Sequence, residues 1–356
     1  LQKHKEKTGK SVTEILPLEE GRGFNRLPVP DSGDLFFDME GDPLYSDGLE
    51  YLFGVYLRSE GEDFKAFWGH NHDEEKVASE GVMLFFGEHL QKFPNAHIYH
   101  YNHYEVTALK RLSSRYGVCE DEVDDFLRRG TLVDLYKVVR EGIMTSESGY
   151  SIKDLECFYM EKRASDVKSA TQSIVFYEEW RNTGDARLLK QIEDYNYDDC
   201  KSTALCLDWL LKLRPEESVW FERKAPEKSE GDERAKETDD TLFMIRLKEG
   251  MELVSADKRE YMQLLIYLCD FHKRETKPKW WKLFEMANAP VEDLIEDTDC
   301  LGALERTGEV EEVKRSVITT FAFPRQETKI QLNQRPCSRA ICLRRAVWSF
   351  WILKEV

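Results

Sequence analysis

Residues 51–57, YLFGVYL, constrain this chain more than any other stretch because they offer no polar face. A strand alternates its side chains between two faces, and one that is apolar on both must be covered on both. The run stands between two other strand-like runs, residues 35–40 (LFFDME) and 64–68 (FKAFW), separated by DPLYSDG and RSEGED. Those gaps carry turn residues, so the three runs predict an antiparallel meander. Downstream the pattern changes to helices alternating with strands. The spacing predicts a helix over 73–93, a strand over 96–101 (AHIYHY), a helix over 104–116, a strand over 131–135 (TLVDL), and helical segments near 151–160, 171–182 and 186–213. A meander followed by βαβ-like crossovers describes an α/β fold: a mixed sheet with helices on its faces.

The first strand of that meander carries an expense. Asp38 and Glu40 are two residues apart, so their carboxylates stand on the same face, and burial worsens their repulsion. A third acid poses the same problem on the helix over 186–213. At 100° per residue, Leu188, Ile192, Tyr195, Asp199, Cys206 and Leu210 share one narrow stripe, which turns Asp199 toward the core. Asp194 and Asp198 lie about a quarter turn away and read as solvated. Core-facing carboxylates are costly unless paired or bound to a metal, and one divalent cation would account for all three. Oxygen-only ligands select a hard cation, Mg²⁺ or Mn²⁺.

Bland readings stand beside this one. Asp38 and Glu40 could be a solvated strand face, Asp199 a core acid satisfied by a backbone or Arg partner, and Tyr195 a packed aromatic. Histidines at 97, 100 and 103, with His70 and His72, suggest zinc, but His97 and His100 face opposite sides of a strand, and converging geometry is not evident. Asp134 ends an apolar strand, where it either points into the same cleft or caps the following helix. Lys153, in YSIKDLE, is a candidate phosphate contact, and Tyr99, Tyr101 and Tyr104 are candidates for base stacking.

Composition removes several classes. A formal charge of −17 and a pI near 5.1 exclude bulk electrostatic coating of nucleic acid, though not a nuclease whose carboxylates hold cations. Eight cysteines without a CxxC pair argue against zinc ribbons, iron–sulfur clusters and secreted disulfide frameworks. No Walker A motif occurs. Without a membrane-length apolar run or a signal-peptide core, a cytoplasmic, non-membrane protein is expected. The start at Leu1 is that expected of a fragment or processed product, and residues 1–33 read as a lead-in from an upstream region. The remaining divisions are a domain over 34–213, a charged linker over 214–240, a mostly helical region over 241–330, and an atypical tail over 331–356, four Arg and two Trp but one Glu, expected to be unpacked.

Asp38-Met-Glu40 on the first strand, Asn102-His-Tyr-Glu105 after the fourth and Tyr195-Asn-Tyr-Asp-Asp199 on a late helix resemble the three motifs of DEDDy-type 3′→5′ exonucleases, which have an RNase H-like fold. More closely, GDLFFDMEGDP, GLEYLFGV, AHIYHYNHYE, VDLYKVVR, YSIKDLE, YNYDDCKST and HKRETKPKWW together resemble the middle of the large bacterial RecB-like nuclease family. The resemblance covers residues 18–330 and implies a RecB/Cas4-type nuclease region before this domain and a superfamily 1 helicase after it. It implies hydrolysis of single-stranded DNA or RNA ends with two ions. Asp38 would bridge both, Glu40 and Asp199 complete the first, Glu105 hold the second, and Tyr195 orient the water. The middle motif departs from the pattern, with Glu105 where most such enzymes carry Asp and with a shorter spacing from Asn102. The other class in play is a non-catalytic exonuclease-like module that positions nucleic acid or neighbouring domains.

Overall fold

The computed structural model describes residues 1–58, 63–161, 170–223, 239–251, 253–269, 271–289, 291–313, 316–329 and 349–355. Its contacts divide the chain into two units, Leu1–Asp270 and Phe271–Val356.

The first unit begins with α1 (Gln2–Thr8) and β1 (Thr13–Ile15). The meander follows as β2 (Leu35–Asp42), β3 (Leu49–Leu57) and β4 (Asp63–Trp68). Next come α2 (His72–Lys92), β5 (Ile98–His100), α3 (Tyr104–Tyr116), α4 (Glu120–Arg129), β6 (Leu132–Asp134), α5 (Leu135–Gly142), β7 (Ile143–Thr145) and α6 (Ile152–Leu155). Two long helices, α7 (Ala170–Thr183) and α8 (Ala186–Leu213), are followed by α9 (Asp239–Met251) and α10 (Ala256–Cys269). The main sheet has the order β4-β3-β2-β5-β6. The meander pairs antiparallel and the two crossover strands add in parallel, so the mixed α/β sheet expected from the sequence is the one found.

YLFGVYL is buried along its length up to Tyr56, as a strand covered on both faces must be. On one face Phe37 of β2 meets Phe86 of α2 edge to face, with ring centroids 5.2 Å apart. On the other, Phe36 stacks on Tyr99 at 5.4 Å, within a core that includes Leu135, Val138, Val139, Leu207 and Leu210. Helix α8 crosses β2 and β3 on this second face. Phe24 and Leu27, from the segment before β2, are buried in the same core, and β1 pairs antiparallel with β7.

Several elements differ from their sequence reading. The strand expected over 96–101 is confined to Ile98–His100, because Asn102 adopts a left-handed backbone (φ 83°) and turns the chain into α3. Leu135 belongs to a helix and not to the strand over 131–135, since Asp134 caps α5. The segment 151–160 holds only the single turn α6 and a 3-10 turn, Glu156–Phe158. Helix α4, EDEVDDFLRR, was not anticipated: it buries only Val123 and Phe126, too few apolar positions to register as a stripe in so acidic a run.

Of the expected linker, residues 214–223 are described. The backbone amide of Phe221 donates to Leu27 O (2.8 Å), and Arg223 Nε donates to His97 Nε2 (3.0 Å). Residues 224–238 lie outside the described set. The second unit contains α11 (Phe271–Asn288), α12 (Val291–Glu296), β8 (Glu305–Val313), β9 (Ser316–Phe323) and β10 (Ser349–Glu355). Its sheet has the order β10-β9-β8: β8 and β9 fall in the stretch read as mostly helical, and β10 falls in the tail expected to be unpacked, where residues 349–355 instead pair in parallel with β9 because seven successive backbone positions match its register. Most of the expected tail, residues 331–348 and 356, lies outside the described set. Among the described residues no helix is long and apolar enough to cross a membrane.

Candidate metal centre

Alternation along β2 places Phe36, Asp38 and Glu40 on the face covered by α8. Helix α8 brings Asp199 to them. Ligand oxygens of Asp38, Glu40 and Asp199 all lie within 4.8 Å of one another, the one such group of three among the described residues. Glu40 is buried, whereas Asp38 and Asp199 are half-buried.

The helix can come this close because of one small residue. Gly54 pairs with Asp38 across β2 and β3, and a Cβ on Gly54 would stand 1.6 Å from Asn196 Oδ1. Asn196, fully buried, donates from Nδ2 to Asp38 Oδ2 at 2.8 Å. Cys200, one turn on, donates from Sγ to Gly54 O at 3.3 Å. Asn196 was not singled out from the sequence, yet the signal was there: an isolated glycine inside an apolar strand marks a close approach by another element.

Glu105, in the first turn of α3, is buried beside Asp38 and shares a hydrogen bond with it. Its Oε2 is buried without a hydrogen-bond partner among the described residues and lies 3.6 Å from His100 Nδ1. His100 Nδ1 donates instead to Asn102 O at 2.6 Å. Burial disfavours the His100 imidazolium, but Glu105 and Asp134 outweigh it and hold its pKa above the ordinary value.

Asn102 and Asp134 meet in a turn. Asn102 Oδ1 accepts from His103 N (2.8 Å) and His103 Nδ1 (2.7 Å). Asp134 Oδ1 accepts from Asn102 N and, as the helix cap, from Tyr136 N, both at 2.9 Å. These contacts fix the β5–α3 connection that delivers Glu105.

Tyr195 is buried one turn before Asp199. Burial, then the charges of Asp199, Glu40 and Asp38, push its phenol well above the usual range, so it keeps its proton. Lys153 Nζ donates to Tyr195 Oη and lies 4.4 Å from the ring centroid. Helix α6, which carries Lys153, starts on a reciprocal cap between Ser151 and Asp154.

The electrostatics are those of mutually repelling buried acids. Burial raises the Asp38 carboxyl well above its ordinary value, and Asp199, Glu105 and Glu40 add to it. Burial and Asp199 push Glu40 up to about 8, against the opposing pull of Ser173 and Lys153. Clustered carboxylates cannot all ionise without a counter-charge, and a divalent cation inverts that balance. The donors are all oxygens, so the site fits a hard cation.

The histidines do not gather. His70 packs on Trp180 with ring centroids 4.3 Å apart, His72 Nε2 contacts Ser46 O at 2.9 Å, and His97 faces Arg223. A second acidic pair, Glu50 and Glu75, escaped the sequence reading. Glu50 accepts from Tyr104 Oη (3.0 and 2.9 Å) and from Arg111, while Glu75 Oε1 accepts from Glu50 N (2.6 Å). A Cβ at Gly41 would lie 2.2 Å from Glu50 Oε2, so the residue after Glu40 makes room for this network.

Residues 35–211 match the family model described as RNase_H superfamily, an extent that takes in the meander, Glu105, Lys153, Tyr195 and Asp199. Neither the curated proteins nor the solved structures yield a match to the chain.

Proposed function

We propose, on the premise of an RNase H-like domain over residues 35–211, that this chain is a metal-dependent 3′→5′ exonuclease acting on single-stranded DNA or RNA ends. The observation that carries the reading is the convergence of Asp38, Glu40 and Asp199 within 4.8 Å on a half-buried face. Mg²⁺ or Mn²⁺ ions bound there would supply Lewis acidity at the scissile phosphate and stabilise charge on the leaving oxygen.

The chain's own residues have distinct parts. Asp38, Glu40 and Asp199 would hold one ion, and Glu105, against Asp38, would serve a second. Tyr195 keeps its proton, so it acts as a hydrogen-bond orienter of the attacking water and not as its base. Lys153, beside Tyr195, adds a cation where a phosphate would arrive. By the RecB-like resemblance of its sequence, this activity would belong to a longer protein with a second nuclease region and a superfamily 1 helicase.

The test uses oligonucleotides labelled separately at the 5′ and 3′ ends. Wild-type protein should shorten single strands from the 3′ end only with Mg²⁺ or Mn²⁺, and Asp38→Ala should abolish this. Degradation by Asp38→Ala at the wild-type rate, or none by wild type with any divalent ion, would favour the positioning module.

A further inference from the structure

Two of the acidic segments are joined by a carboxylate that belongs to neither. Glu50 stands at the start of β3 opposite Gly41, where the β2–β3 register shifts between Glu40 and Gly41. It is buried, and both of its oxygens accept from Tyr104 Oη, at 3.0 and 2.9 Å. Arg111, two turns further along α3, donates to Oε1 of the same carboxylate. One side chain of β3 thus holds α3 at two points, while the helix packs against β2. These groups press on the backbone directly after Glu40: a Cβ on Gly41 would stand 2.2 Å from Glu50 Oε2 and 2.9 Å from Tyr104 Oη. Glu105 follows Tyr104 in the chain, so the phenol–carboxylate pair lies one residue from an acid of each segment.

The other end of α3 is tied separately. Tyr116 donates to Glu75 Oε2, which lies 3.9 Å from Arg115 Nη1. Glu75 is fully buried on α2, and its Oε1 accepts from Glu50 N at 2.6 Å. Helix α3 is therefore suspended on two buried carboxylates, of which only Glu50 sits at the end that carries Glu105. Tyr104 is 47% exposed, so what it contributes is less the packing of its ring than the bond at its tip. Bonds to an ionised acceptor are the strong ones.

We propose that Glu50, acting through Tyr104 and Arg111, is a positioning residue of the metal centre that sets the separation between Glu40 on β2 and Glu105 on α3. The inference rests on the metal-dependent reading above, in which Glu105 serves the second ion. Glu105 Oε2 has no hydrogen-bond partner among the described residues, so the helix that carries it decides its place. Metal–ligand distances tolerate departures of only about 0.2 Å, and a helix free to shift on β2 would lose its ligand without losing its fold.

Titration of the full chain with Mn²⁺ in a calorimeter tests it without recourse to turnover. Tyr104→Phe keeps the ring and removes the hydroxyl, so it should weaken the second Mn²⁺ by about 10-fold or more and leave the first unchanged. Glu50→Ala releases Tyr104 and Arg111 together and should weaken the second ion at least as far. Tyr116→Phe loosens the far end of α3 and should change neither affinity, whatever it does to the melting temperature. In a Glu105→Gln background, Tyr104→Phe should cause no further loss, because the ligand it places is gone. Two ions bound with wild-type affinity by both Tyr104→Phe and Glu50→Ala would overturn the clamp while the metal centre stood. So would a single bound ion in wild type, a Tyr116→Phe loss equal to that of Tyr104→Phe, or a Tyr104→Phe loss that persists in the Glu105→Gln background. No Mn²⁺ binding by wild type would overturn the metal centre and the clamp together.

Discussion

Glu40→Gln should make the metal-free protein more stable while destroying its proposed activity. The Glu40 carboxyl stands at about 8 against an ordinary 4.5, chiefly through burial and then through Asp199. An acid whose pKa is raised by folding binds its proton more tightly in the folded state. Stability is therefore highest below the unfolded value near 4.5, falls as the pH rises through the interval, and reaches its floor above about 8. At roughly 1.4 kcal/mol per pH unit, that interval corresponds to about 5 kcal/mol as an upper bound, and the energy belongs to the coupled cluster more than to Glu40 alone. Gln keeps the shape and removes the charge. In EDTA at pH 9, Glu40→Gln should melt above wild type by about 3–5 kcal/mol, or roughly 10 °C at about 2–4 °C per kcal/mol for a domain of this size. Scanning calorimetry across pH should show the two curves converging near pH 4. Saturating Mn²⁺ should reverse the order at pH 9, since only a form that binds the ion gains from it. Equal melting temperatures in EDTA at pH 9 would refute the claim that this carboxylate is held at a cost for the sake of a cation.

Gly54→Ala should destabilise the first unit by about 1–3 kcal/mol, because the added methyl collides with Asn196 Oδ1, and Asn196→Ala in the same chain should recover part of that loss in thermal melts. Glu105→Gln should cut turnover by about 10²-fold with little change in melting temperature, whereas Asp134→Asn should cost about 1 kcal/mol through a weakened cap and leave Mn²⁺ affinity intact. Calorimetric titration of both separates a ligand from a cap. Tyr195→Phe should lower kcat and leave Mn²⁺ affinity unchanged, as expected of a residue that orients water; a matching loss of metal binding would make it part of the ligand set.

The alternation of LFFDME, the two-faced apolarity of YLFGVYL and the stripe from Ile192 to Leu210 were enough to place Asp38, Glu40, Tyr195 and Asp199 on buried faces of a strand and a helix, because periodicity is a local property of the chain. Their cost was legible for the same reason: like charges on one strand face repel whatever the rest of the molecule does. Which face of which helix meets that strand is not local. The choice of Asn196 as the amide that holds Asp38, and of Gly54 as the gap that admits it, depends on how closely α8 approaches β3, a distance no single segment encodes. Glu50 and Glu75 carry no spacing signature for the same reason, since they meet across 25 residues of chain. Asp134 marks the boundary between the two kinds of knowledge. From the sequence it was either a ligand or a cap, and only the fold could decide what its oxygen meets, by folding β5 and β6 side by side so that one carboxylate ties Asn102 to the start of α5.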